Sequence, residues 1–249
     1  MLLNDHIAVI TGAASPRGIG RATAELFLEH GATVAVLDRD REALEATCRE
    51  LGERAHAYVC DVTDWESVQG AIESVVARLG VPHTLVNNAG ITQPKGLLEI
   101  EEGDFDAVMA VNLKGAFFCS KALMPHLTRA GRGSIVNMSS VSAERGGGIF
   151  GGPHYSAAKS GMLGLMRALA RNHAADGIRV NAVAPGFIET DITAGKLTEA
   201  QHRQIRESIP MQRTGRPLDV ARICLFLASE LSEYVTGEVI DVNGGMHID

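Results

Sequence analysis

The stretch "TGAASPRGIG", Thr11 to Gly20, decides how the rest of the chain is read. It follows the apolar run "IAVIT" (7–11) and leads directly into "RATAELFLEHGA". A strand that hands over to a helix through a glycine-rich turn makes room for a pyrophosphate. Gly12 permits the tight turn, and Gly18 and Gly20 let the backbone approach phosphates and let the helix pack on a sheet. The free N–H groups of the helix N-terminus then face the negative charge. The usual G-x-G-x-x-G spacing is absent, since five residues separate Gly12 from Gly18. Three glycines alone are a weak signal; the strand before them and the helix after them carry the reading.

Working outward, apolar runs of strand length recur at 33–38 ("TVAVLD"), 55–60 ("AHAYVC"), 84–89 ("TLVNNA"), 133–138 ("GSIVNM"), 178–183 ("IRVNAV") and 238–242 ("EVIDV"). Amphipathic stretches of helical length lie between them. In "DWESVQGAIESVVARLG", Trp65, Val68, Ile72, Val75, Val76 and Leu79 fall on one face. Strands alternating with helices require crossover connections, hence a parallel sheet, and the almost wholly apolar runs suit strands covered on both faces. No repeat, low-complexity tract or linker interrupts the pattern. The expectation is one α/β domain over residues 1–249, a doubly wound sheet of seven parallel strands flanked by helices. Ligands of such sheets bind beyond the carboxyl ends of the strands, so the informative residues stand just after each strand.

Composition narrows the classes. The 249 residues are 45% hydrophobic and 21% charged, as in a soluble globular protein with a sizeable core. A net charge of −7 and a pI near 5.7 argue against a nucleic-acid partner. Cys48, Cys60, Cys119 and Cys224 form no C-x-x-C pair, and the nine histidines form no H-x-x-x-H, so thiols in a reducing compartment and no metal are expected. The opening "MLLNDHIAVI" lacks a basic region and a long apolar core, and no run approaches 18 apolar residues. A cytoplasmic protein without membrane contact follows.

Asp38 ends the second strand, about 20 residues beyond the glycines, where an acid accepts hydrogen bonds from the hydroxyls of an adenosine ribose. A helix N-cap is the competing job, and Asp40 suits it better. After the third strand, Asp61 and Val62 stand where an adenine edge can lie, and Asp64 caps the helix that begins at Trp65.

With "NNAG" (87–90) after the fourth strand and "YSAAK" (155–159) opening a helix, the chain resembles the short-chain dehydrogenase/reductase family over essentially its whole length. The motifs "TG…GIG", "DV", "NNAG", "VNLKGAFF", "MSSVS", "Y-x-x-x-K", "NAVAPG" and "YVTGEVIDVNGG" occur in the family's order. Within it the chain is similar to 3-oxoacyl-acyl-carrier-protein reductases and to polyol or sugar dehydrogenases. It departs in two places. The glycine loop is two residues longer than usual, and fourteen residues separate Ser140 from Tyr155, about two more than usual. The second departure leaves Ser142 as an alternative to Ser140.

The resemblance implies an NAD(P)-dependent oxidoreductase with Rossmann-type fold. Its catalytic residues are Asn112, Ser140, Tyr155 and Lys159. Tyr155 and Lys159, four apart, share a helix face. The ammonium there favours the phenolate and lowers the tyrosine's pKa from about 10 toward the working range. Ser140 bonds the substrate oxygen, Lys159 also reaches the nicotinamide ribose, and Asn112 kinks a helix and holds a water. The cofactor residues are Gly12, Ser15, Arg17, Gly18, Ile19, Gly20, Asp38, Asp61, Val62, Asn88, Ala89, Gly90, Tyr155, Lys159, Pro185, Gly186, Ile188 and Thr190. His154 is read as a pocket wall or cap, and Glu144 and Arg145 as solvated.

Asp38 should repel a 2′-phosphate, which favours NAD, although Arg17 and Arg39 offer NADP a partner. Apolar faces on segments 104–129 and 153–174 (Phe117, Leu123, Met162, Leu165, Met166, Leu169) suit a homotetramer. "TAGKLTEAQHRQIRESIPMQRTGRP" reads as a helical lid. A small polar secondary alcohol of polyol or sugar type ranks slightly ahead of a 3-oxoacyl thioester, for which Ile149, Phe150, Phe187 and Ile192 offer an acyl channel. A catalytically silent cofactor-binding regulator is a remote alternative, since Ser, Tyr and Lys are all present.

Overall fold

The computed structural model describes residues 1–148, 150–191, 193, 195 and 197–248. In chain order the elements are β1 (Ile7–Thr11), α1 (Ile19–Glu29), β2 (Thr33–Asp38), α2 (Arg41–Leu51), β3 (Ala55–Val59), α3 (Trp65–Leu79) and β4 (Thr84–Asn87). The second half holds α4 (Glu102–Met109), α5 (Gly115–Ala130), β5 (Gly133–Met138), α6 (Ser142–Arg145), α7 (Pro153–His173), β6 (Ile178–Pro185), α8 (Glu199–Ser208), α9 (Pro217–Ala228) and β7 (Val239–Val242). The seven strands pair in parallel in the order β3-β2-β1-β4-β5-β6-β7. The order reverses at β1, whose neighbours are β2 and β4, and that is where a crevice opens.

The two-residue period of a strand distributes the core between two layers. On β2, Val34 and Val36 join Phe27, Leu44, Val220 and Leu227 beneath α1, α2 and α9. Ala35 and Leu37 point the other way, to Ile72, Leu123, Leu127 and Met166 beneath α3, α5 and α7. Each such side chain, when fully buried, contributes roughly 1.5–3 kcal/mol. Asp40 accepts from the Ala43 N–H and Asp64 from those of Glu66 and Ser67, so both cap as the sequence implies and Asp38 stays free of that role.

A π-helical turn, Ala110–Lys114, joins α4 to α5 around Asn112, whose amide donates to the carbonyls of Val108 and Ile91 at 2.9 Å each. This is the kink expected at Asn112. The joined helix Glu102–Ala130 is long and apolar enough by length and composition to cross a membrane, which no single run of sequence showed. Half of its apolar window is buried, and it packs on α3 and α7 as a core helix does. The four cysteines are free and buried.

Candidate active site

A cleft of about 690 Å³ lies across the carboxyl ends of the strands, a size suited to a sizeable organic ligand. Its first end is built by the loops after β1, β2, β3 and β4. Gly12 holds φ +66°, and a Cβ there would stand 2.6 Å from the Ala89 Cα, so only glycine fits. Gly18 caps α1, whose first turn carries no acidic side chain to compete for its N–H groups. The Asn88 amide donates to the carbonyls of Thr11 and Gly12 at 3.0 and 2.9 Å. The Thr11 hydroxyl in turn accepts from the N–H groups of Asn88 and Ala89, at 3.0 Å each. Strand β4 therefore stops at Asn87, short of the expected run to 89, because the next residues turn to grip the first loop. Thr11 is a positioning residue the sequence reading missed; its hydroxyl at the strand end was the available signal.

Asp38 faces the cleft, its carboxylate accepting from the N–H groups of Ala14 at 3.1 Å and Asp40 at 3.2 Å. Asp61 accepts from the Thr63 N–H and hydroxyl, which holds its carboxyl below the usual range. Ser15, Ile19, Val62, Asn88, Ala89, Gly90, Pro185, Gly186, Ile188 and Thr190 all line the same cleft. Two expected residues do not. Gly20 lies behind the loop, where a Cβ would stand 2.5 Å from the Asn88 amide nitrogen. Arg17 is held outside the wall by Asp191, through a 2.7 Å ion pair.

At the second end, α7 presents Tyr155 and Lys159, with the Lys159 Nζ 5.7 Å from the tyrosine ring centre. Lys159 is buried and donates to the Met138 carbonyl at 2.7 Å; burial lowers its pKa to about 8. Ser140 stands within reach of the Tyr155 hydroxyl, and the Ser140 Oγ accepts from the Ser142 N–H at 3.1 Å. Burial raises the Tyr155 pKa above its ordinary value, opposed by Ser140. That corrects the expected lowering by Lys159. With its ammonium turned to a backbone carbonyl, desolvation of the phenol dominates. The buried Asn112 Oδ1 has no partner among the described residues and faces Gly90, where a Cβ would lie 2.8 Å from it and 3.6 Å from the Lys159 Nζ. Glycine keeps that space clear. An open loop, an orphaned buried oxygen and a buried amine beside the tyrosine together fit a dinucleotide whose reactive ring reaches Tyr155.

Ser142 is buried beside Gly151 rather than bonded to Tyr155, so geometry separates it from Ser140. His154 is buried off the cleft and pairs with Gln93 at 3.1 Å. Arg145 lines the cleft, while Glu144 pairs with His247 at 3.2 Å, so neither is simply solvated. Phe150 and Phe187 stand ring to ring at 6.1 Å, and Ile205 and Met246 complete an apolar wall. Ile149 and Ile192, expected in that wall, lie outside the described residues. Met246 and Ile205 come from the tail and from α8, and no local signal marked them. Glu144, Asp241 and His247 bring potential ligand atoms within 4.8 Å of one another, a grouping of three distant segments.

A protein-family model described as enoyl-(acyl carrier protein) reductase matches residues 12–247. An uncharacterized short-chain type dehydrogenase/reductase of Sinorhizobium fredii is 54% identical, covering 100% of each chain. Proteins named 3-oxoacyl-[acyl-carrier-protein] reductase from Thermotoga maritima and Vibrio harveyi are 44% and 38% identical, again over 100% of each chain.

Proposed function

The chain belongs to the short-chain dehydrogenase/reductase family and is an NAD(P)-dependent oxidoreductase of CH–OH or keto groups, and from that premise we propose that it reduces the ketone of a 3-oxoacyl thioester. The observation that carries the reading is the placing of Ser140 and Tyr155 in one cleft against the apolar wall of Phe150, Phe187, Ile205 and Met246. A polyol would leave hydroxyls unpaired against that wall, at a cost of roughly 1–3 kcal/mol each. This reverses the order in which sequence alone ranks the two substrates. The relatives named for 3-oxoacyl reduction support the same choice.

A nicotinamide held at the Tyr155 end would supply the hydride. Ser140 donates a hydrogen bond to the substrate oxygen and stabilises the charge that grows on it. Tyr155 gives its phenolic proton to that oxygen, and with its pKa raised above the ordinary value the phenol rests protonated, as a donor must. Lys159 lies close enough to steady the phenolate left behind, and it carries its charge below about pH 8. Asn112 offers its unpartnered oxygen to a water that returns the proton.

Gly12, Ser15, Gly18, Ile19 and Asn88–Gly90 hold the phosphates and the neighbouring ribose, and Asp38, Asp61 and Val62 the adenosine. Pro185, Gly186, Ile188 and Thr190 support the nicotinamide end. Asp38 on the wall, with Arg17 engaged elsewhere, favours NAD over NADP, and Arg39, on the same wall, is the partner left to a 2′-phosphate. Residues 1–249 act as one domain in the cytoplasm. Assembly as a homotetramer draws support from a second cavity of about 610 Å³ on α5 and α7, lined by Phe117, Met124 and Leu169. Leu123, Met162 and Met166 are buried against the sheet and play no part in that face.

A coupled assay tests the reading by comparing acetoacetyl thioesters with a polyol and sugar panel, using both cofactors. Polyol oxidation with no reduction of acetoacetyl thioesters overturns it.

A further inference from the structure

Three hydrogen bonds join parts of the chain that the sheet keeps apart. Asp191 Oδ2 accepts from the Ser15 hydroxyl at 2.6 Å and from the Arg17 N–H at 2.9 Å, and its Oδ1 accepts from the Arg17 Nε at 2.7 Å. Ser15 and Arg17 belong to the loop after β1, and Asp191 to the segment after β6. Strands β4 and β5 lie between those two, so three strand spacings, about 14 Å, separate the points from which the partners start. The bonds must cross the ends of β4 and β5, where Asn88–Gly90 and Ser139–Ser140 line the cleft.

Ser15 and Thr190 form part of the cleft wall, whereas Arg17 and Asp191 do not line it and keep side chains 66% and 34% exposed. The glycine loop is longer than the family's usual one, and Ser15 and Arg17 both lie between its first two glycines. The carboxylate's partners also hold its pKa below the ordinary range, the Ser15 hydroxyl most of all.

We infer that Asp191 is a positioning residue that straps the glycine-rich loop to the segment after β6 and so controls how fast the dinucleotide leaves the cleft. The inference rests on the reading of that cleft as a dinucleotide site. A ligand reaching from Asp38 to Tyr155 passes beneath the strap, so its exchange requires the three bonds to open.

Stopped-flow fluorescence of bound NADH and NADPH, displaced by excess oxidised cofactor, measures the release rate. Asp191→Ala removes three bonds, two of them to a charged acceptor and one an ion pair, and should speed release roughly ten- to a hundredfold. Asp191→Asn keeps an acceptor but loses the charge, and Arg17→Ala removes the guanidinium bond alone; both should fall between Asp191→Ala and the unaltered protein. In the ligand-free protein, hydrogen exchange at the Arg17 amide should accelerate in Asp191→Ala. Should Asp191→Ala fail to fold, Arg17→Ala, altered at an exposed side chain, carries the test. If the unaltered protein binds neither nucleotide, the reading of the cleft falls and the strap with it. If it binds one, yet release from the folded variants stays within about twofold of the unaltered protein, the strap alone is overturned.

Discussion

At the Asp38 end of the cleft the loops after β1, β2 and β4 are pinned by side-chain hydrogen bonds, whereas the Phe150 end is walled, among the described residues, by rings and glycines. Asn88 alone fastens the loops after β1 and β4 through its side chain and its N–H, and Asp38 fixes Ala14 and Asp40. Around Phe150, Gly146, Gly147 and Gly148 all hold positive φ. Their neighbourhood is secured by the Gly147 N–H on Ser156 and the Thr92 hydroxyl on the Phe150 carbonyl. Binding a dinucleotide demands fixed donors at fixed places. Accepting a particular acyl body demands shape, which loop length and a few apolar side chains can alter without disturbing the first end.

Tyr155, where the two ends meet, should show the largest effect. Tyr155→Phe keeps the ring and removes the proton, so turnover should fall about 10²–10⁴-fold while NADH still binds. Steady-state kinetics beside a fluorescence titration read both quantities, and near-normal turnover would falsify the assignment.

A matched pair of glycines sharpens the contrast. Gly12 and Gly147 hold nearly the same φ, +66° and +68°, so each pays a similar left-handed penalty on substitution by alanine, about 1–2 kcal/mol. Only Gly12 adds a collision, at 2.6 Å with the Ala89 Cα, whereas the nearest atom to a Cβ on Gly147 is 3.9 Å away. Gly12→Ala should therefore lower the melting temperature more and impair cofactor binding, and Gly147→Ala should do neither to the same extent. Equal losses of stability would break the comparison.

Phe187→Ala removes a ring of the apolar wall whose aromatic neighbours, Phe150 and His202, both lie at the second end. The KM for an acetoacetyl thioester should rise roughly tenfold with the cofactor Kd unchanged. A parallel loss of cofactor affinity would mean the two ends are not separable.

The smallest effect lies away from both ends. His83 accepts the Ile7 N–H at 3.0 Å, and burial lowers its pKa from about 6.5 to about 4. Its native state therefore binds fewer protons than the unfolded chain between those values. The contribution is whole above pH 6.5 and lost as pH falls through 4. Melting temperatures measured across that range should decline less steeply in His83→Gln than in the unaltered protein.

What sequence determined by itself is what operates over a few residues or one periodicity. The glycine turn after an apolar run, Asp40 and Asp64 as caps with Asp38 left free, the strand–helix alternation and the shared face of Tyr155 and Lys159 are all of that kind. So is Asn112 at its helical kink. Tertiary structure decided the rest, because sheet order brings distant segments together and sets what each group loses in leaving water. It carried Asp191 to Ser15 and Arg17, and Met246 and Ile205 to the cleft wall. It turned Leu123, Met162 and Met166 inward although their helices look able to offer them to a partner. It also raised the Tyr155 pKa, because the half-buried phenol is desolvated while the Lys159 charge, four residues away, is aimed at the Met138 carbonyl. A sequence specifies which charges stand near one another along a helix; only the packed fold specifies how much water each retains.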